Sequence, residues 1–208
     1  GFRSRWNSAQ IRLIWMRKMP VGATLDDLQL FLYLAEQKNL DPLLGQAYAR
    51  RQWSQELGDY QLIIIESIHG LLKLADATGQ LNGITTEFLE GEEYPQKATV
   101  TVHRKGCDHP FVATAHWDEY VGCKMANGRL VPTKMWQEKS HVMLQKCATA
   151  LALRLAFPAA LGGVYVAEEL EHDRGEQSSG AATESDDFVV AEKTEPSKPE
   201  EPPFEANK

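Results

Sequence analysis

The clearest alternation of apolar and polar positions lies between Lys134 and Tyr165. It predicts one long helix closed at Phe157-Pro158, followed by a Gly162-Gly163 turn and a buried aromatic. Proline cannot occupy a helix interior, and paired glycines release the backbone into a turn. Along this helix Lys139, Met143, Lys146, Ala150 and Arg154 fall in one narrow stripe at 3.6 residues per turn. The helix is expected to be basic on that side and apolar on the others. Upstream, Ser8 to Met19 places Ile11, Leu13, Ile14, Trp15 and Met16 among Arg12, Arg17 and Lys18 and stops at Pro20, which reads as a short amphipathic docking helix. Thr24 with Asp26-Asp27 starts a second helix, whose apolar face is Leu25, Leu28, Phe31, Leu32 and Ala35.

Strand patterns follow Pro42. Tyr48-Ala49-Arg50-Arg51 reads as a strand, and Leu62-Ile63-Ile64-Ile65 as a strand buried on both faces. Ser67-Ile68-His69-Gly70 opens a helix through Leu71, Leu72, Leu74 and Ala75 that ends at Thr78-Gly79. Ala98 to His103 and Phe111 to Trp117 both alternate, with turn formers from Arg104 to Pro110 between them, and so predict a β-hairpin with a basic tip. The fold class is therefore α+β: a small antiparallel sheet with a β-hairpin, packed against helices that include one long basic helix.

Charge changes this picture at one end of the chain. The formal charge is -7 over 208 residues, but residues 168–208 hold 13 acidic and 4 basic groups, a net of -9. The remainder carries 18 basic and 16 acidic groups, a net of +2, so the acidity belongs to a tail. Residues 1–167 are expected to form one folded domain and residues 168–208 a disordered acidic tail, too poor in apolar residues to offset chain entropy. Cys107, Cys123 and Cys147 have neither disulfide-framework nor zinc-ribbon spacing, which fits a reducing cytoplasm, and no metal site is expected. No apolar run reaches the roughly 18 residues of a membrane span.

Candidate chemistry is narrow. The chain has no phosphate-binding Gly-rich loop ending in Lys-Ser or Lys-Thr, no dinucleotide fingerprint and no Gly-x-Ser-x-Gly elbow. Asp118-Glu119 could serve a metal-dependent nuclease, although acids at a strand end more often cap the next helix. A non-enzymatic adaptor is a further alternative. The cations point elsewhere. Arg50 and Arg51 close a strand, Arg104 and Lys105 tip the hairpin, Lys124, Arg129 and Lys134 populate a Gly-rich loop, and Lys139, Lys146 and Arg154 line the long helix. Cations spread over several elements suit the tracking of a phosphate backbone. Among the aromatics, Phe111, Trp117 and Phe157 are expected in the core, while Trp53 and Trp136 fit either packing or base stacking.

Several blocks in order carry a family resemblance. They are Leu30-Phe31-Leu32, Asn39-Leu40-Asp41-Pro42 and Gln46-Ala47-Tyr48-Ala49; Glu66 to Gly70 with Thr78-Gly79; Ala98 to Gly106; Ala115 to Tyr120; and Met135-Trp136 through Met143 to Cys147, Ala150 to Pro158 and Gly162 to Tyr165. Together they resemble the RecT and phage Red beta single-strand annealing proteins. The resemblance implies binding of single-stranded DNA and ATP-independent annealing of complementary strands in phage-type homologous recombination, by a homo-oligomeric ring or helical filament in the cytoplasm of a bacterial host. It implies no catalytic residue, magnesium at most as a support for annealing, and as partners the annealed duplex intermediate, a phage exonuclease and a host single-strand-binding protein. Carried onto this chain, the groove would be lined by Arg104, Lys105, Lys139, Lys146 and Arg154. Departures are local: His69 stands where the family usually has Asp, Leu72 where Arg is frequent, and the connection from Gly83 to Tyr94 is shorter than usual.

Overall fold

Two hydrophobic cores, joined through one helix, organise the computed structural model, which describes residues 4–54 and 58–162. The first forms around helix α1 (Ser8–Lys18), helix α2 (Leu25–Gln37) and an antiparallel ribbon of β1 (Ala47–Ser54) and β2 (Asp59–Glu66). Both helices start as their sequences dictate. Asn7 with Gln10, and Thr24 with Asp27, make reciprocal capping boxes that satisfy the exposed first-turn amides. Ile14, Leu28, Phe31, Leu32, Leu40 and Ala47 then bury into this core.

Helix α3 (Ile68–Ala77) links the cores, because Leu74 packs against both. Its N-terminus is capped by Ser67, whose hydroxyl accepts from the Gly70 amide. Gly70 is required by packing: a Cβ there would collide with the carbonyl oxygen of Gln46. The second core lies under a three-stranded antiparallel sheet in the order β3 (Leu81–Leu89), β4 (Lys97–Arg104), β5 (Phe111–His116). After β5 come the one-turn helix α4 (Trp117–Tyr120), a small hairpin of β6 (Cys123–Ala126) and β7 (Arg129–Pro132), and helices α5 (Lys134–Glu138), α6 (Ser140–Ala156) and α7 (Pro158–Leu161). Helix α6 lies across β4 and β5. Its Cys147, Ala148, Ala150 and Ala152 are small, which lets the sheet approach closely, and all four are buried.

The α+β class, the antiparallel pairing and the 97–116 hairpin agree with the sequence, and four expectations change. The single long helix is interrupted at Lys139, where φ -129 and ψ 39 leave the helical region, although the apolar spacing runs through without a stop. The stripe on that helix is not wholly basic. Met143 and Ala150 are buried and Lys146 and Arg154 half-buried, since the sheet covers one side of α6 and α3, α4, α5 and α7 pack on others. Leu62, Ile63 and Ile64 are only half-buried, because β2 pairs with β1 alone and one ribbon face turns toward α1 and α2. The connection from Gly83 to Tyr94 contributes a strand, β3, with a register shift between Leu81 and Ile84 where Gly83 takes φ 119. The acidic tail and the boundary at residue 167 lie outside the described residues.

Candidate nucleic-acid interface

The basic end of the β4–β5 hairpin is fixed by contacts that place it on α6. Arg104 Nη1 donates to the Ala156 carbonyl at 2.9 Å, its Nε to Gln80 Oε1 at 2.6 Å, and its guanidinium lies 5.4 Å from the Phe157 ring centroid. Lys105 Nζ donates to the Gly79 carbonyl at 3.1 Å. The acceptors Ala156 and Gly79 lie at or just past the C-terminal ends of α6 and α3, where unsatisfied carbonyls carry partial negative charge and attract cations. Arg154 sits in the same last turn of α6. Arg104 and Arg154 thus lie at the C-terminal end of α6, and Lys105 at that of α3.

The other expected cations occupy different places. Lys146 lies two turns back along α6, and Lys139, at the α5–α6 break, is about 22 Å from Arg154 along the axis. Lys134 is fully in solvent apart from a 3.8 Å contact to Glu138, an exposed pair that contributes little to stability. Lys124 and Arg129 are exposed on the β6–β7 hairpin. Arg50 and Arg51 are not part of the α6 row; they belong to the β1–β2 ribbon around the first core. Arg51 is held there with its guanidinium 5.2 Å from the Tyr60 centroid, close against Gly22, where a Cβ would stand 2.6 Å from Nη1.

Because Arg104 is tied to three protein partners, its replacement tests a structural role as well. Arg104→Ala is expected to lower stability by about 1–2 kcal/mol through the lost hydrogen bonds and ring contact. Urea denaturation of the variant measures this, and an unchanged midpoint would show the contacts to be idle in solution.

Two further features escaped the sequence. His141, exposed on the first turn of α6, has Nε2 3.0 Å from both Glu90 carboxylate oxygens and its ring edge-on to Phe88 at 4.9 Å, so an acid lies beside the Lys139 end of the row. Tyr94 and Trp117 stack at 4.6 Å with an 11° interplanar angle. The Tyr94 phenol is raised above its ordinary pKa by a hydrogen bond to Glu93, then by desolvation and the Glu93 charge. Burial pushes the Cys123 thiol up. Trp136, open to either role in the sequence, is fully buried, and Trp53 is 47% exposed. Asp118 and Glu119 are exposed in the first turn of α4, where acids favour the positive helix end, and among the described residues no side chain caps that turn. Among the described residues no three His, Cys, Asp or Glu side chains gather as a metal site, and no helix is long and apolar enough to cross a membrane.

What these elements define is an α+β protein with a cation-bearing helix laid across an antiparallel sheet. Residues 8–183 match the RecT family model, and the chain belongs to the RecT family. It is thus a DNA-recombination protein of the single-strand annealing class, one that binds single-stranded DNA and whose family consists of annealing proteins rather than classical enzymes. Compared with curated protein sequences, the chain finds no match.

Proposed function

We propose that the chain anneals complementary DNA strands without ATP, in phage-type recombination within a bacterial cytoplasm, by holding one strand extended along Lys139, Lys146 and Arg154 with Arg104 and Lys105 at its end. The observation that carries this reading is the contact of Arg104 with the Ala156 carbonyl, which brings the hairpin cations onto the helix that bears Lys146 and Arg154 and starts just after Lys139. Lys134 on α5, and Arg50 and Arg51 on the separate β1–β2 ribbon, belong to the proposed interface as additional phosphate contacts. Two polyanions repel, so a cationic row that fixes one strand lowers the cost of aligning the second. Duplex energy comes from pairing and stacking, so nucleotide hydrolysis is not required. In this reading the chain works as a ring or helical filament of identical subunits. A phage exonuclease supplies its single strands, a host single-strand-binding protein is the second partner, and magnesium assists by screening phosphates.

The test is annealing of two complementary oligonucleotides without ATP across a salt series, for the natural chain and for Lys146→Ala and Arg154→Ala. Each variant is expected to bind single strands more weakly and to reduce the slope of log affinity against log salt by about 0.7 per lost phosphate contact. Slopes identical to that of the natural chain would remove α6 from the interface. Degradation of a labelled strand in magnesium, lost in Asp118→Ala, would replace annealing by a nuclease.

A further inference from the structure

The β1–β2 ribbon exposes two large aromatics that belong to neither core. Trp53 and Tyr60 are directly paired across the strands and are 47% and 53% exposed. Side chains alternate along a strand, so Ala47, Ala49, Arg51 and Trp53 share one face with their partners Glu66, Ile64, Leu62 and Tyr60. At its inner end this face is buried, at Ala47 and Ala49, in the core formed with α1 and α2. Further along, the same face emerges into solvent and ends on the aromatic pair. The rings meet edge to face, with centroids 5.2 Å apart and planes at 78°. Arg51 lies 5.2 Å from the Tyr60 centroid, backed by Gly22.

Pairing across the ribbon stabilises this arrangement modestly but leaves half of each ring in water. Exposing about half of an indole and half of a phenol forgoes apolar burial that either side chain would gain in a core. An edge-on pair anchored by a guanidinium is also pre-set in geometry, which lowers the entropy lost when a third flat ring joins it. Flat apolar faces beside a fixed cation match one ligand chemistry: a base with its π-face uncovered, attached to a phosphate. Duplex DNA hides those faces in its stack, whereas an unpaired strand presents them.

We propose that Trp53 and Tyr60 form a stacking platform for unpaired nucleobases, with Arg51 fixing the Tyr60 ring and meeting the adjoining phosphate. The platform rests on the single-strand reading above and adds to it a component of binding that phosphate neutralisation does not supply. Stacking tolerates any base, so it strengthens binding without imposing a sequence.

The experiment measures fluorescence anisotropy of the full chain with a labelled oligothymidylate and with an abasic deoxyribose-phosphate oligomer of equal length. Both are run for the natural chain, Trp53→Ala, Trp53→Phe and Tyr60→Ala. The natural chain is expected to bind the oligothymidylate more tightly than the abasic strand. Trp53→Ala should lose about fivefold in affinity for the oligothymidylate, the low end of the range for one stacked base, and keep its abasic affinity. Trp53→Phe should recover most of the loss. Because Trp53 is half in solvent, a thermal melt that stays cooperative, with only a small fall in midpoint, is expected to show that Trp53→Ala folds. If Trp53→Ala weakens both oligomers equally, or neither, the platform is overturned while single-strand binding stands. If the natural chain binds neither oligomer in dilute salt, the single-strand reading fails, and the platform fails with it.

Discussion

Trp136→Ala is expected to destabilise the protein by about 3–5 kcal/mol, the usual range for deleting a large aromatic from a core. Trp136 is fully buried at the junction of α5 with the sheet and α6, and its ring meets Trp117 edge to face at 5.4 Å. Trp117 in turn stacks on Tyr94. Removing the indole leaves a void lined by groups that cannot all collapse into it, so the lost transfer energy is joined by a cavity term. Against a typical domain stability of about 5–15 kcal/mol, that is a large share. Equilibrium unfolding in urea measures it, with Trp53→Ala, which loses only a half-exposed ring and its pairing with Tyr60, expected to cost at most about 1.5 kcal/mol. A Trp136→Ala variant as stable as Trp53→Ala would show that the second core does not close over this side chain.

The second large effect belongs to the ion pair of the first core. Lys38 Nζ stands 2.5 Å from Glu66 Oε1, and Glu66 is almost fully buried at the end of β2, where Leu30, Leu34, Leu62 and Ile64 line an apolar cleft. Removing one member of a buried pair strands the other charge, at about 3–5 kcal/mol. The Lys38 side chain is one-third exposed, so water screens part of the attraction, and Lys38→Met is expected to cost about 2–3 kcal/mol. Lys38→Met combined with Glu66→Leu removes the buried carboxylate as well and should be more stable than Lys38→Met alone. A double-variant cycle in urea checks the sign of that difference. Equal or greater loss in the double variant would mean that Glu66 is held chiefly by contacts other than Lys38.

How much of this was legible in the chain differs from element to element. The starts of α1, α2 and α3 were readable because capping is local: Thr24 with Asp27, or Ser67 with the Gly70 amide, needs no distant partner. The β4–β5 hairpin was readable for the same reason, since strict alternation on both sides of a turn-rich segment specifies its own pairing. The β6–β7 hairpin carried a signal that went unused. Asn127-Gly128 takes φ 51 and 74, as the tight two-residue turn demands, and Asn-Gly is the strongest short hairpin signature. Strand β3 had no comparable mark, because its residues are half or fully exposed and its pairing depends on β4. The exposure of Trp53 and Tyr60 has no local signal, since nothing near them in the chain states that their strands form a two-stranded ribbon with one end in solvent.

By itself, then, the amino-acid order determined which segments become helices and hairpins, the buried identity of Phe157, the absence of phosphate-loop and dinucleotide motifs, and the pattern of blocks that marks a RecT-family chain. These are properties of neighbours along the backbone, governed by period, capping and turn chemistry. Only the tertiary structure decided where each cation lies. It set Arg104 and Lys105 against the carbonyl ends of α6 and α3, left Lys146 and Arg154 half-buried on α6 and Lys139 at the break before it, and kept Arg50 and Arg51 on a separate ribbon. Charge on a side chain has no address until packing supplies one, because the residues that meet at Ala156 are 52 positions apart along the chain.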